Sequence, residues 1–580
     1  MAGQNQFVLW SVVAAYIAIV TLAGSYYARY IKTPDDYFRA GSSIPWWAAG
    51  IAIYKANFTA YTFVAIASLV YVDGLSGLLL ETGPVFAFLL AALVFAKRWR
   101  RLNVTSPPEY LEARFNSGTR KIFSILGIGT TFIASGTRLY AVCKLVEAIT
   151  GLPLLWTVAG AGAAMITYTM LGGLCAVVVT DVLQFIILFL AVIPMFASSV
   201  AHIFAAGSWA HFVALIPAGY GSFPHPEHGR TLGWLLAFWA SYLLDYNGDW
   251  GVIQLLCSTP NERESRKAAL LATGLALPHA FLLLGPCFIA RVLWAREIAD
   301  PRVMAQAEVA YGHIALKLLP TGMIGVVAAA MLAATMSTLS VAWNVRSTSF
   351  VNDLYLRFLR PRAGGREQIL VARVAVALIG GTAVGIAIWI ALASSGLFAL
   401  AQSLIGFVVI PIVLPMLLGL VVPSARGWSG TAALVVCFAF ACVNQFFYGW
   451  FGLAQPLPFQ NVVVVSIVLG CAVMFGSALA PRSAAEAERI RELYRKMRTP
   501  VAQRPGNLEL PAPVGVIGTL TLIVGVLVAV LTLLPQHAVD RWMTVGSAAV
   551  LILLGIVMRR SSGAPPAPVD SEPCIEFDSR

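Results

Sequence analysis

Apolar residues gather in long blocks along this chain, with polar residues confined to shorter stretches between them. Fifteen blocks can be drawn, at roughly 7–29, 45–71, 75–97, 120–148, 153–171, 176–202, 231–256, 268–292, 318–351, 369–393, 397–421, 429–450, 460–480, 513–534 and 541–558. Runs near 20 residues are long enough for a helix to cross ~30 Å of hydrocarbon. Strict alternation of apolar and polar positions over ~10 residues, the mark of a transmembrane barrel, is missing. The first run has no basic stretch before it and no small-residue cleavage site after it, so 7–29 is read as a retained helix. The pattern predicts an all-α polytopic membrane protein of about fifteen transmembrane helices.

Two blocks are interrupted in ways a plain bundle would avoid. IYKANFTAYTF places Asn57 and Thr59 inside the second, and ASYLLDYNGDWG places Asp245, Asn247, Gly248, Asp249 and Gly251 inside the seventh. Broken helices five spans apart point to an inverted-repeat transporter, in which unwound backbone lines a wet cavity. A kinked pair of packing helices is the plainer alternative. Residues 171–184, LGGLCAVVVTDVLQ, set a double glycine at a membrane face and then sink Asp181 into an apolar helix. A carboxylate at mid-membrane costs roughly 3 kcal/mol on insertion scales, so a charged group should visit it or sit beside it.

Composition agrees with the pattern. The 580 residues are 59% hydrophobic and 11% charged, with mean hydropathy +0.80, where a soluble chain carries about a quarter charged residues. The net charge of +12 comes largely from short loops, which is the signature of segments held beside anionic lipid and not of nucleic-acid binding. Residues 97–121, 261–267, 357–368, 482–504 and Arg559–Arg560 are the basic stretches. All fall on the cytoplasmic side if the N-terminus is outside and the C-terminus inside. Cys143, Cys175, Cys257, Cys287, Cys437, Cys442 and Cys471 lie in or beside apolar blocks without C-x-x-C spacing, as small apolar fillers do. HPEH (225–228) is read as a solvated loop and not a metal site. Residues 484–498 are expected to form a cytoplasmic amphipathic helix, and 561–580 a disordered tail. No G-x-S-x-G, H-E-x-x-H or nucleotide loop is found, so an enzyme is not expected.

Four ordered stretches carry a family resemblance. DDYFRAGSSIPWWAAG (35–50), SPPEYLEARF (106–115), YTMLGGLCAVVVTDVLQ (168–184) and AAAMLAATMSTLSVAWN (328–344) resemble motifs of the solute:sodium symporter family, whose members carry sugars, proline, sialic acid and anions. The resemblance covers roughly 7–500. It implies a LeuT-like core of five plus five helices at 45–421, with inverted repeats near 45–202 and 231–421. An extra helix and cytoplasmic linker (1–44) would precede it, and peripheral helices (422–560) with a cytoplasmic loop at 482–512 would follow. The resemblance also implies a sodium ion between the first and eighth core helices, at Lys55, Phe58, Ala334, Ser337 and Thr338, with Asp181 near the ion's inward exit. Carbonyl and hydroxyl oxygens are hard ligands suited to an alkali cation.

Lys55 departs from the family pattern, which has a small residue there. Two unit charges ~4 Å apart repel by roughly 4 kcal/mol at an effective dielectric of 20. Three readings stand open: Lys55 pairs with Asp181 and replaces sodium; it loads and releases a proton; or its stem carries the charge away, toward Glu81, and leaves an ion site intact. For the solute, Glu81 matches the position of a glutamate used by the family's sugar carriers, and Asn57, Thr62, Tyr242, Asp245, Tyr246, His279 and Gln402 complete the candidate set. These residues leave a cationic or amine-bearing solute and a sugar both open. His279 is equally read as a satisfied polar residue in a helix pair, Arg138 as serving helix packing, and Lys144 as snorkelling to the interface. The expected partners are a small-molecule solute and membrane lipid, with no obligate protein partner. The expected location is the plasma or inner membrane. A transporter-fold sensor is the alternative of another class.

Overall fold

The computed structural model describes residues 42–56, 61–104, 106–225, 229–298, 309–392, 409–452, 455–501, 513–530 and 538–561, with isolated positions before residue 42 and at Ala307. Among the described residues the secondary structure is helical, apart from one isolated bridge between His225 and Arg230. Among the described residues eight helices are apolar and long enough to cross a membrane, and four further apolar helices are shorter. The count of fifteen spans is not fixed by these elements. The first block lies almost wholly outside the described residues, and so do Asn57, Phe58, Gln402 and most of HPEH.

The helices that position the site are α1 (Trp46–Ala56), α2 (Ala67–Asp73), α3 (Leu75–Leu80), α4 (Gly83–Leu90), α5 (Ala96–Leu102), α6 (Pro107–Arg114), α7 (Ser117–Thr150), α8 (Leu154–Ala205), α9 (Trp209–Leu215), α10 (Leu232–Gly248), α11 (Trp250–Cys257), α12 (Glu262–Ala276), α13 (His279–Ile298), α14 (Ala310–Leu318), α15 (Thr321–Ser349) and α16 (Gly365–Leu392). Then come α17 (Ile410–Val421), α18 (Ser429–Phe446), α19 (Phe459–Gly476), α20 (Ala484–Arg498), α21 (Pro513–Val530) and α22 (Ala538–Ser561). At the centre α8 packs on α15, α16 and α1, while α7 packs on α15 and α16. The α1 helix lies against α12, where a Cβ on Gly50 would stand 2.8 Å from the Ala268 carbonyl oxygen, so only glycine allows this approach. The α4 helix lies against α10.

The expected break in the seventh block is present. The α10 helix ends at Gly248, Asp249 takes an extended backbone (φ −64°, ψ 124°), and its carboxylate accepts from the Val252 amide at 2.9 Å to start α11. One aspartate thus both interrupts the helix and caps its continuation. After α1 the described chain resumes at Tyr61 and a π-helical turn at Thr62–Ile66 leads into α2.

The fifth and sixth blocks run on as one backbone helix, Leu154–Ala205, within which Leu154–Thr167 and Val177–Ala205 remain two apolar stretches on either side of the double glycine. Glycine in a helix costs about 1 kcal/mol but does not stop it, and the proline inside the segment, Pro194, lies well beyond the double glycine.

Four of the basic stretches meet at one end of the molecule. Arg101 pairs with Glu262 at 2.9 Å and donates to the Arg498 carbonyl at 2.8 Å, and Arg357 pairs with Glu112. The amphipathic helix is present as α20, capped by Ser483 and burying Ile490, Leu493 and Met497.

Candidate functional site

A polar relay crosses four elements beside the break. Tyr54, in the last turns of α1, shares a 2.6 Å hydrogen bond with His279 Nδ1 at the start of α13. His279 Nε2 lies 3.5 Å from Glu81 Oε1, and Tyr242 of α10 donates to Glu81 Oε2 at 3.2 Å. Glu81 sits in the turn between α3 and α4 and is only 4% exposed. The absence of a side chain at Gly83 makes room for this contact, since a Cβ there would stand 2.4 Å from the Tyr242 ring. His279 is therefore a partner of Glu81 and does not itself line the cavity beyond it.

That cavity, of about 220 Å³, opens between α7, α10, α11, α15 and α17. The predicted Thr62, Glu81, Tyr242, Asp245 and Tyr246 all line it, and Asp249 does too. So do two arginines. Arg138 faces the cavity, which corrects the reading of it as a packing residue: a guanidinium in a mid-bundle helix needs a polar surface, and the acids of α10 supply one. Arg346 was not singled out at all, although an arginine inside the apolar run of α15 is itself a signal. Its Nε donates to Thr131 Oγ1 at 2.6 Å, and its guanidinium lies 3.6 Å from the centroid of the Trp250 ring. Its Nη1 has no hydrogen-bond partner. Five charged side chains, Glu81, Asp245, Asp249, Arg138 and Arg346, therefore line one hollow, where the sequence suggested only acids. Lys144 stands apart at the other end of α7, half-buried and paired with Glu147 at 3.0 Å.

A second cluster lies where α1 meets α15 and α8. Thr338 Oγ1 is 3.3 Å from the Lys55 carbonyl oxygen and 3.2 Å from that of Ala334, and its hydroxyl donates toward both. Three of the positions inferred for an ion thus converge. The backbone of Ser337 continues α15 beside them, and Phe58 lies outside the described residues. The Lys55 side chain is fully buried and leaves this corner toward α8, where its ammonium donates to Gln184 Oε1 at 2.9 Å. It also lies in the field of Asp181, one helical turn before Gln184 on the same face of α8. Gln184 was missed, and its i, i+3 spacing from Asp181 was the available signal. The stem does not lead to Glu81, whose partners are Tyr242 and His279.

The oxygens at α1 and α15 are of the kind an alkali cation accepts. The ammonium opposes it. A lysine side chain holds its charge within roughly 7 Å of its own carbonyl. At an effective dielectric of 20, two unit charges that far apart repel by about 2 kcal/mol, roughly thirtyfold in affinity. The Asp181 charge, in whose field the ammonium lies, offsets part of this repulsion.

Comparison with known proteins accords with this architecture. The model of the Sodium:solute symporter family matches residues 37–436. The Sodium/glucose cotransporter of Vibrio parahaemolyticus is 27% identical over 503 residues, covering 81% of this chain and 90% of that protein. The Sodium/sialic acid symporter SiaT of Proteus mirabilis (strain HI4320) is 24% identical over 473 residues, covering 77% and 92%. A solved Na+-coupled sialic acid symporter, in its substrate-bound outward-open state, superposes with a TM-score of 0.68 at 20% identity. The match covers 82% of this chain and 99% of that one, a likeness that shows the LeuT-like fold.

Proposed function

The chain belongs to the sodium:solute symporter family, and we propose from that premise that it is a secondary active transporter carrying a small polar solute by alternating access. The observation that supports this most directly is the cavity at the α10–α11 break, lined by carboxylates, guanidinium groups and tyrosines. A closed packing core would hold none of these. Pockets of about 300–1,000 Å³ suit drug-sized ligands, so 220 Å³ suits something smaller.

Charges of both signs favour a solute rich in hydroxyls, or one bearing an acid and an amine together, over a simple cation. Tyr242 and Glu81 would bind at one end, with Asp245, Arg138, Asp249 and Arg346 along the rest. The names of the relatives place glucose and sialic acid first among solutes to test, and sodium first among driving ions. The meeting of four basic loops at one end supports an orientation with that end in the cytoplasm.

The test is uptake into proteoliposomes from a panel of sugars, polyols, amino acids and sialic acids, with sodium, potassium and proton gradients imposed in turn. Accumulation of one solute against its gradient is the expected result. Saturable binding without uptake of any solute would replace the carrier reading with that of a sensor.

A further inference from the structure

The last described turn of α1, at Lys55 and Ala56, lies buried in the core. Its Lys55 carbonyl accepts from Thr338 of α15, whose hydroxyl also reaches the Ala334 carbonyl. Converging carbonyl and hydroxyl oxygens of this kind suit an alkali cation. The chain brings a cation of its own: Lys55 lies in that same turn, fully buried, with its ammonium bonded to Gln184 at 2.9 Å and in the field of Asp181.

We infer that Lys55 is a tethered cation that takes the place of a dissolved coupling ion at the α1–α15–α8 junction, so that this chain does not bind sodium there. The inference rests on the transporter reading for its consequence: the solute would move without sodium at this seat. It goes beyond that reading in separating this chain from relatives whose names include sodium. The same turn of α1 also carries Tyr54, which joins the cation corner to the His279–Glu81 relay. Lys55 thus bridges α1 to α8 while Thr338 bridges α1 to α15.

The experiment measures binding of radioactive sodium alone to the purified full chain, with choline holding ionic strength constant and no solute present. The wild type and Lys55→Arg, which keeps the charge, are expected to show no saturable sodium binding in the millimolar range. Lys55→Ala, or Lys55→Met should the alanine variant not fold, is expected to gain saturable binding at least ~10-fold tighter than any wild-type signal. Wild-type binding as tight as that of the neutral variants overturns the inference. Sodium binding by Lys55→Arg, or by none of the variants, overturns it too. Because no solute is used, failure here leaves the transport reading standing, and failure of the uptake screen leaves this result intact.

Discussion

Replacing Glu112 with glutamine removes a charge that three guanidinium contacts hold in place. Arg357 grips both carboxylate oxygens, Nη1 to Oε2 at 2.5 Å and Nη2 to Oε1 at 2.6 Å, and Arg120 reaches Oε2 at 2.7 Å. Arg120 in turn donates through Nε to Asp353 at 3.0 Å, which also accepts from Ser106 at 3.1 Å. The network ties α6 and the first turn of α7 to the helical end that follows α15, the helix that carries Thr338. The Arg357 hydrogen bonds, with help from Arg120, pull the Glu112 carboxyl down from its ordinary 4.5 to about 2. A depression of that size corresponds to at most about 3 kcal/mol of folded-state stability. With the carboxylate side chain 28% exposed, solvent screening lowers the working figure to ~1–2 kcal/mol.

The sign follows from the folded pKa being the lower one. The contribution is present in full above the unfolded value of about 4.5 and fades as pH falls toward 2. Thermal unfolding of detergent-solubilised wild type and Glu112→Gln, at one scan rate, should differ by on the order of 1–3 °C at pH 7. The gap should shrink to roughly half by pH 3. A gap that stays constant down to pH 3 would show that the carboxylate charge does not carry the effect, and the reasoning fails. A gap already closed at pH 6 would be equally fatal, because the charge is then too weakly held to matter.

Asp181→Asn should abolish solute uptake while leaving membrane insertion unchanged, because it strands the buried Lys55 ammonium on Gln184 alone; surface-labelled protein with full uptake would remove Asp181 from the mechanism. Glu81→Gln loses a charge-assisted bond from Tyr242 and the His279 contact, and should raise the half-saturating solute concentration about 10-fold or more. An unchanged concentration dependence in that variant would move the solute away from this end of the cavity. Gly83→Ala should weaken solute binding without loss of folded protein, because its methyl group displaces the Tyr242 ring. Wild-type affinity would show that the ring position is not used.

Much of the scaffold could be read from the chain because its causes are local. A run of apolar residues must become a helix to satisfy its backbone in lipid, and the capped pattern at 483–498 specifies an amphipathic helix whatever it packs on. The break at Asp249 was legible for the same reason, since glycine and a capping aspartate act within a few residues. The double glycine at 172–173 separates two apolar stretches without breaking the backbone helix, because it permits a turn without requiring one. Facing is different. Hydropathy places Arg138, Arg346 and Asp245 on membrane helices but cannot say that α7, α15 and α10 turn these groups into one hollow. The family resemblance raised Lys55 as an anomaly and left three readings of it open. The packing of α1 against α8 chose Gln184 and Asp181, because a buried ammonium must end at whatever acceptors the neighbouring helix brings within its reach.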